Sequence, residues 1–255
     1  MRSLLRIAGL PVVLFALWFL ASDNSESFYA PPLREILRAF ADTWTPERLR
    51  ADVLPSIVRL GAGYALAALL GVAAGVAIGT SRRLRAATEP VLEFFRAVPP
   101  PVLVPVIMLF AGIGNGMKVI VIVFGCVWPI LLNTVEGVRA VDGVLSDTAR
   151  AYGITGTARL RRLLLPSAGP QIAVGLRQAL SIAIILMVIS EMFAASNGLG
   201  FTIVQFQRSF AIPEMWSGII LLGLIGFGLS VLFRLAERRA LAWYHGLRDV
   251  RRRSG

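Results

Sequence analysis

The chain has 255 residues, enough for one or two soluble domains, but 56% of them are apolar, 16% are charged and the mean hydropathy is +0.71. The charges gather in short clusters between long apolar runs, which excludes a soluble protein and describes a polytopic membrane protein. The net charge of +11 does not point to nucleic acid, because the arginines sit in short loops and at the C-terminus, where membrane topology and lipid head groups account for them.

One cysteine and one histidine narrow the chemistry further. Cys126 lies in an apolar run with no partner for a disulfide, and His245 lies in an arginine-rich tail with no second metal ligand. No Cys/His or Ser/His nucleophilic pair is evident. The only lysine, Lys118, follows Gly112-Ile-Gly114-Asn-Gly116-Met, which lacks the Gly-Lys-Ser/Thr ending of a phosphate loop, so ATP hydrolysis would have to come from a partner.

Residues 4–21 follow Arg2 and include Arg6 ahead of an apolar stretch whose length borders on both a signal-peptide core and a short span. With five more spans following and no small-x-small cleavage site, residues 1–21 read as a retained first helix. Residues 22–54 are mixed. Leu33, Ile36, Leu37 and Phe40 recur at helical spacing there, as in a helix lying on the outer membrane surface or an ordinary exterior connector. Span two covers about 56–80. Gly63, Ala67, Gly71, Gly75 and Gly79 recur every fourth residue and lay small side chains along one face, so another helix can approach closely, in the same subunit or in a second one.

Arg82, Arg83 and Arg85 mark a cytoplasmic loop. Glu89, Glu93 and Arg96 then precede Val98-Pro99-Pro100-Pro101 and a short apolar run containing Pro105. The prolines remove backbone donors and break span three, either at the membrane interface or within it where the backbone lines a cavity. Span four covers about 117–135 and ends at Asn133 and Glu136. Span five runs from about 170 to 192, with Arg177 and Gln178 near its inner end and Glu191 near its outer end. Charges at such depth face a partner or water and are functional candidates. A turn at Ser196-Asn197-Gly198-Leu199-Gly200 leads to span six, about 216–233, where Gly218, Gly223, Gly226 and Gly228 offer another close-packing face. Arginines from Arg234 onward close it on the inside.

Between spans four and five lies the segment around which the chain is organised, Asp147 to Pro166. It reads as two short helices and a turn. Asp142 or Ser146 caps the first, and Gly153 ends it in the left-handed conformation. Thr155 or Thr157 starts the second and Pro166 stops it. A basic loop that only orients the protein would have a similar composition, but the spacing is more specific. An acidic residue at 147, alanine at 149, glycine at 153 and Leu163-Leu164-Leu165-Pro166 resemble the EAA loop of bacterial ABC-importer permeases, with Asp147 in place of the usual Glu and Thr148 in place of the first Ala. Arg96, Pro99, Pro100, Gly112, Gly114, Lys118 and Gly198-Leu199-Gly200 resemble the nitrate/sulfonate/taurine branch of that family.

The resemblance implies an all-α membrane protein of the type I ABC importer permease fold, with six transmembrane helices in a bacterial inner membrane and both termini cytoplasmic. Residues 1–21 would be the first transmembrane helix, 22–54 an extracytoplasmic segment, 55–241 the permease core with its coupling loop at 137–168, and 242–255 a basic cytoplasmic tail. Two copies would enclose a pathway for a small solute, either an anion such as a sulfonate, taurine or nitrate or a vitamin-precursor-like molecule. Asp147, Ala149, Arg150, Gly153, Leu165 and Pro166 would couple to two separate ATPase subunits, which bind ATP and Mg, while this chain carries no cofactor or metal. An extracytoplasmic binding protein would deliver the solute. Arg96, Pro99, Pro100, Asn133, Gln178 and Glu191 are the candidates for pathway or gate. The competing classes are an ATP-independent secondary transporter or channel, expected to show inverted repeats or a proton relay around Glu191, and a membrane enzyme, which lacks its constellation of residues here.

Overall fold

The computed structural model describes residues 13, 17–23 and 27–244. Most of the expected first span lies outside these residues, as do His245 and the rest of the basic tail. The described chain is helical, with no strand.

Helix α1, Leu33–Thr43, carries the amphipathic pattern anticipated for a surface helix. Part of its apolar face is covered by the chain itself: Leu33, Ile36 and the following Trp44 are buried and α1 packs on the last helix of the chain, whereas Leu37 stays 49% exposed. The Trp44 indole donates to Ser217 Oγ at 3.0 Å and ties the two together. A single turn, Pro46–Arg48, and a π-turn, Leu49–Val53, lead into α2, Leu54–Thr80. Ser81 then accepts from Leu84 N–H at 3.2 Å and starts α3, Arg82–Ala97. At Val98-Pro99 the chain leaves the helix, makes a 3-10 turn over Pro100–Leu103 and enters α4, Val104–Ala111, at an 83° bend.

Helix α5, Asn115–Arg139, is the axis of the fold. Helix α2 runs parallel to it on one side and α7, Leu165–Ala194, antiparallel on the other. The glycine ladder explains the first contact. A Cβ at Gly63 would lie 2.7 Å from Ile122 Cβ, at Gly71 2.9 Å from Ile130, at Gly75 2.5 Å from Thr134 and at Gly79 2.9 Å from Val138. Each glycine therefore seats one α5 side chain, and the small face is used within this chain rather than between two copies. The contact with α7 uses glycines on both partners, Gly125 under Leu186 and Gly175 over the Pro129 carbonyl. The anticipated second glycine face behaves differently. Among the described residues only Gly218 is closely covered, by Ile203, while none of them lies within 4 Å of a Cβ at Gly223 or Gly228.

Helix α6, Gly143–Ala151, follows α5, and a turn, Gly156–Arg159, follows α6. The expected stop at Pro166 does not occur: the turn runs through a π-turn, Leu160–Leu164, straight into α7. In the wider π loop, Leu165 N–H bonds to Leu160 O. Pro166 therefore falls at the start of a helical segment, where its missing donor costs nothing. The same device precedes Pro55, with Leu54 N–H bonded to Leu49 O. Helix α8, Leu199–Arg208, and helix α9, Ile212–Ala240, complete the chain.

Among the described residues four stretches are long and apolar enough to cross a membrane: Pro46–Thr80, Asn115–Arg139, Gly156–Phe193 and Ile212–Ala240. The bent α3–α4 pair makes a fifth when counted as one broken span. The sixth of the expected spans is the first, which lies mostly outside the described residues.

Candidate functional site

Three places along the α2–α5–α7 core concentrate the polar side chains. The first is a buried cluster at the end where α2 and α5 begin and α7 ends. Glu191, in the last turn of α7, is 0% exposed. Its carboxylate accepts from Arg59 Nη1 at 2.7 Å, from the Ser56 hydroxyl at 2.8 Å and from Gly200 N–H at 3.0 Å. Ser56 Oγ in turn accepts from Leu199 N–H at 2.9 Å. The carboxylate thus satisfies the first turn of α8 from a distance, where the helix dipole favours a negative charge.

Gly198 and Gly200 make this approach possible. Gly198 has φ +123°, and a Cβ there would lie 2.5 Å from the Glu191 carboxylate; at Gly200 it would lie 2.6 Å from Val188 O. Arg59 also donates to two asparagines, from Nε to Asn115 Oδ1 at 2.8 Å, from Nη2 to Asn197 Oδ1 at 2.5 Å and from Nη1 to the Asn197 backbone carbonyl at 3.2 Å. A buried charge pair is tolerable only when its other hydrogen-bonding groups are also matched, and here they are. The sequence marks Glu191 as a charge at depth but not what it faces: its α2 partners, Arg59 and Ser56, lie 132 and 135 positions away. Arg59 was legible in principle, since it interrupts an apolar span, but the glycine periodicity around it drew the reading to packing. Ser56, Asn115 and Asn197 carry no comparable local signal.

The second place is a cavity of about 440 Å³ between the end of α3, the Pro100 turn, α5 and α7, lined by Phe95, Pro100, Trp128, Asn133 and Gln178 among others. The structure brings three of the pathway candidates, Pro100, Asn133 and Gln178, together here. Asn133 Nδ2 donates to Gln178 Oε1 at 3.2 Å and to the Pro129 carbonyl at 2.8 Å, and its Oδ1 accepts from Gln171 at 2.9 Å. Phe95 stacks on Trp128 with centroids 4.9 Å apart, which clamps the end of α3 onto α5 just before the break. Pro99 stands at the start of the 3-10 turn and Arg96 in the last turn of α3. Glu191 is not part of this cavity.

The third place is the bracket formed by α6 and the turn after it. Asp142 caps α6, accepting from Val144 N–H at 2.7 Å and Leu145 N–H at 3.3 Å. Gly153, with φ +69°, ends it in a Schellman arrangement: Ile154 N–H bonds to Ala149 O at 2.8 Å and Gly153 N–H to Arg150 O at 3.0 Å. Thr155 stands before the following turn without a side-chain cap. Arg159 Nη2 donates to Ser146 Oγ at 2.9 Å and joins the two halves. Asp147 and Arg150 are 74% and 73% exposed and lie 3.4 Å apart. Ala149 faces inward and is buried, whereas Val144, Leu145 and Tyr152 are exposed. Leu165 and Pro166 sit apart from this face, half-buried at the root of α7 beside the buried Leu164.

A bundle with long apolar helices, one broken span, a largely apolar cavity with a few polar groups beside the break and a short helical bracket projecting from one end has the architecture of a membrane transport protein. The sequence comparison names the class: residues 67–241 match the model of binding-protein-dependent transport system inner membrane components, and the chain belongs to that family. It is a transporter subunit, not an enzyme. A Bacillus subtilis permease protein named for aliphatic sulfonates transport is 29% identical over 236 residues, covering 92% of this chain and 86% of that one. The taurine transport system permease protein of Escherichia coli is 28% identical over 246 residues, covering 94% and 90%. Among solved structures, the MetNI methionine ABC transporter in an inward-facing form shares the fold, with a TM-score of 0.61 and 20% identity, covering 76% of this chain and 94% of that one.

Proposed function

We propose that this chain forms the translocation pathway of an ATP-driven importer and couples it to a separate ATPase through the α6 bracket. The observation that carries this reading is the bracket's division of labour. Ala149 and Leu164 anchor it inward, while Val144, Leu145 and Tyr152 project from it, 74%, 54% and 80% exposed among the described residues. An exposed apolar group of this size beside the Asp147–Arg150 pair is what a helix seated in another protein's groove requires. In this reading the bracket faces the cytoplasm and the Glu191 cluster the outside. Two copies of the chain and two ATPase subunits assemble, and a binding protein delivers the solute. ATP and Mg belong to the ATPase. ATP-driven closure tilts the bracket, and the movement reaches the Asn133–Gln178 cavity through the continuous helix from Gly156 to Phe193. The solute is a small anion of the sulfonate class, supported by the relatives named for aliphatic sulfonates and for taurine.

The test is a charge on the exposed face. Leu145→Asp and Tyr152→Asp change side chains that are 54% and 80% exposed, so membrane level and monodispersity should match the parent. In the docked complex each places an unpaired charge in a desolvated contact, at a cost of several kcal/mol. Co-purification of the ATPase and uptake should both collapse. If both variants transport like the parent at equal membrane levels, the bracket is not a docking helix and the reading fails.

A further inference from the structure

Above the Glu191 cluster opens a cavity of about 710 Å³ whose walls include Arg59, Asn115, Lys118, Asn197 and Arg208. Lys118 is 3% exposed, and its ammonium has no hydrogen-bond or ion-pair partner among the described residues. The carboxylate that acts on it through space, Glu191, is already ion-paired with Arg59, so two cations share one counter-charge and a second anion would be favourable here. Arg59 does not need that partner, because Glu191 already neutralises it. Arg208, on the rim, is exposed and also lacks an ion pair among the described residues.

The neutral groups point the same way. Arginine has only donors, so by turning both carboxamide oxygens toward itself Arg59 leaves the amide N–H₂ groups of Asn115 and Asn197 directed elsewhere. Helix α5, 25 residues long, begins at this wall, and Gly114 gives it no side-chain cap. Its first N–H groups and the positive end of its dipole are therefore offered to the same space. The cavity presents ammonium, guanidinium, amide N–H and a helix start; its carboxylate, Glu191, is beneath the wall and fully engaged. Met192, Phe193 and Phe201 add an apolar side.

We propose that this cavity binds a small organic oxyanion, a sulfonate or carboxylate, whose charged end lies against Lys118 and the start of α5 and whose short apolar end lies against Phe193 and Phe201. Its role as the first station for solute released at the outer face rests on the importer reading; the anion site itself does not. The Arg59–Glu191 pair is the positioning element, fixing the two asparagines with their donors outward.

The full-length chain, purified in detergent, is titrated with sodium methanesulfonate by calorimetry, with a neutral methyl sulfone as control. The parent should bind methanesulfonate saturably and the sulfone not at all. Lys118→Gln should weaken binding about 10-fold or more, the loss expected for a charge-assisted contact. Lys118→Arg should recover most of it. Arg208→Gln, on an exposed rim position that folding does not depend on, should weaken binding about 2- to 5-fold. Absence of saturable binding in the parent overturns the site, as does parent-like binding by Arg208→Gln together with either Lys118→Gln or, if that variant does not fold, an unweakened Lys118→Met. ATP hydrolysis by the assembled complex is measured alongside. Stimulated hydrolysis without anion binding refutes the site and leaves the importer reading intact; anion binding without coupled hydrolysis does the reverse.

Discussion

At the Glu191 end of the core, one carboxylate, one guanidinium, one hydroxyl, two carboxamides and two backbone N–H groups satisfy one another across α2, α5, α7 and the start of α8. At the bracket end, α6 is held to the turn after it by one side-chain bond, Arg159 to Ser146, and by the backbone bonds of its own C-terminus. The Ser56–Arg59–Glu191 centre of the first arrangement is buried, with Asn115 and Asn197 at its open edge, and its members depend on one another, so it should act as a fixed post and be among the last parts to open. The second is exposed and held mainly by its own backbone bonds, so it opens more readily than the cluster, although its turn continues without a break into α7.

The largest expected effect tests the fixed post. Glu191→Gln preserves shape but leaves Arg59 buried without its counter-charge, a loss of about 3–5 kcal/mol. The variant should give little monodisperse protein, and what is recovered should lose its elution peak at much lower temperature than the parent. Replacing both charges, Arg59→Met with Glu191→Leu, should restore part of the thermal stability, because two apolar groups leave no orphan charge. A Glu191→Gln protein as heat-resistant as its parent would show that the cluster is not what holds this end.

Gly198→Ala is a smaller blow to the same post. The substitution keeps every charge but asks an alanine to hold φ +123° and puts its Cβ 2.5 Å from the Glu191 carboxylate. The backbone strain alone is about 1–3 kcal/mol, and the carboxylate must also give up its place beside Gly200 N–H. A clear drop in thermal midpoint is expected, with membrane insertion retained. An unchanged midpoint would mean that the α8 start can back away from Glu191 at no cost.

How legible these two ends were follows from where their information lies. The glycine ladder was readable because a close helix contact repeats every turn, so four local positions carry one long-range fact. The bracket was readable too, since Asp142 and Gly153 act on neighbours within a few residues. The Arg59–Glu191 pair joins two spans 132 positions apart, and neither side names the other. Only the presence of arginine inside an apolar run hinted at it. The proline at 166 misled for a different reason. A proline breaks a helix when the residue four before it points a carbonyl into the ring, and the π-turn over Leu160–Leu164 removes that geometry. Nothing in the local sequence marks such a turn, although Pro55 after Leu49–Val53 repeats it. Likewise the apolar stripe of α1 carries no mark of what covers its buried part, which is α9.

The smallest effect sharpens the comparison most, because it repeats the Gly198 substitution at the other end. Gly153 also has a positive φ, +69°, but none of the described residues lies within 4 Å of a Cβ built there. Gly153→Ala therefore meets strain without collision, about 1–2 kcal/mol for a left-handed alanine. That energy falls on the Schellman bonds from Ile154 and Gly153 to the end of α6, not on the helices of the core. The global thermal midpoint should stay within a degree or so of the parent, since local opening below the global transition does not move it. Amide exchange should nevertheless quicken over 143–156 and stay unchanged over 186–202, whereas Gly198→Ala should give the opposite pattern. If the docking reading is right, Gly153→Ala should also lower solute-stimulated ATP hydrolysis by a few-fold at full membrane level, because the bracket spends less time in the shape its partner binds. Should Gly153→Ala lower the global midpoint as far as Gly198→Ala does, the bracket is part of the rigid core and the contrast between the two ends does not hold.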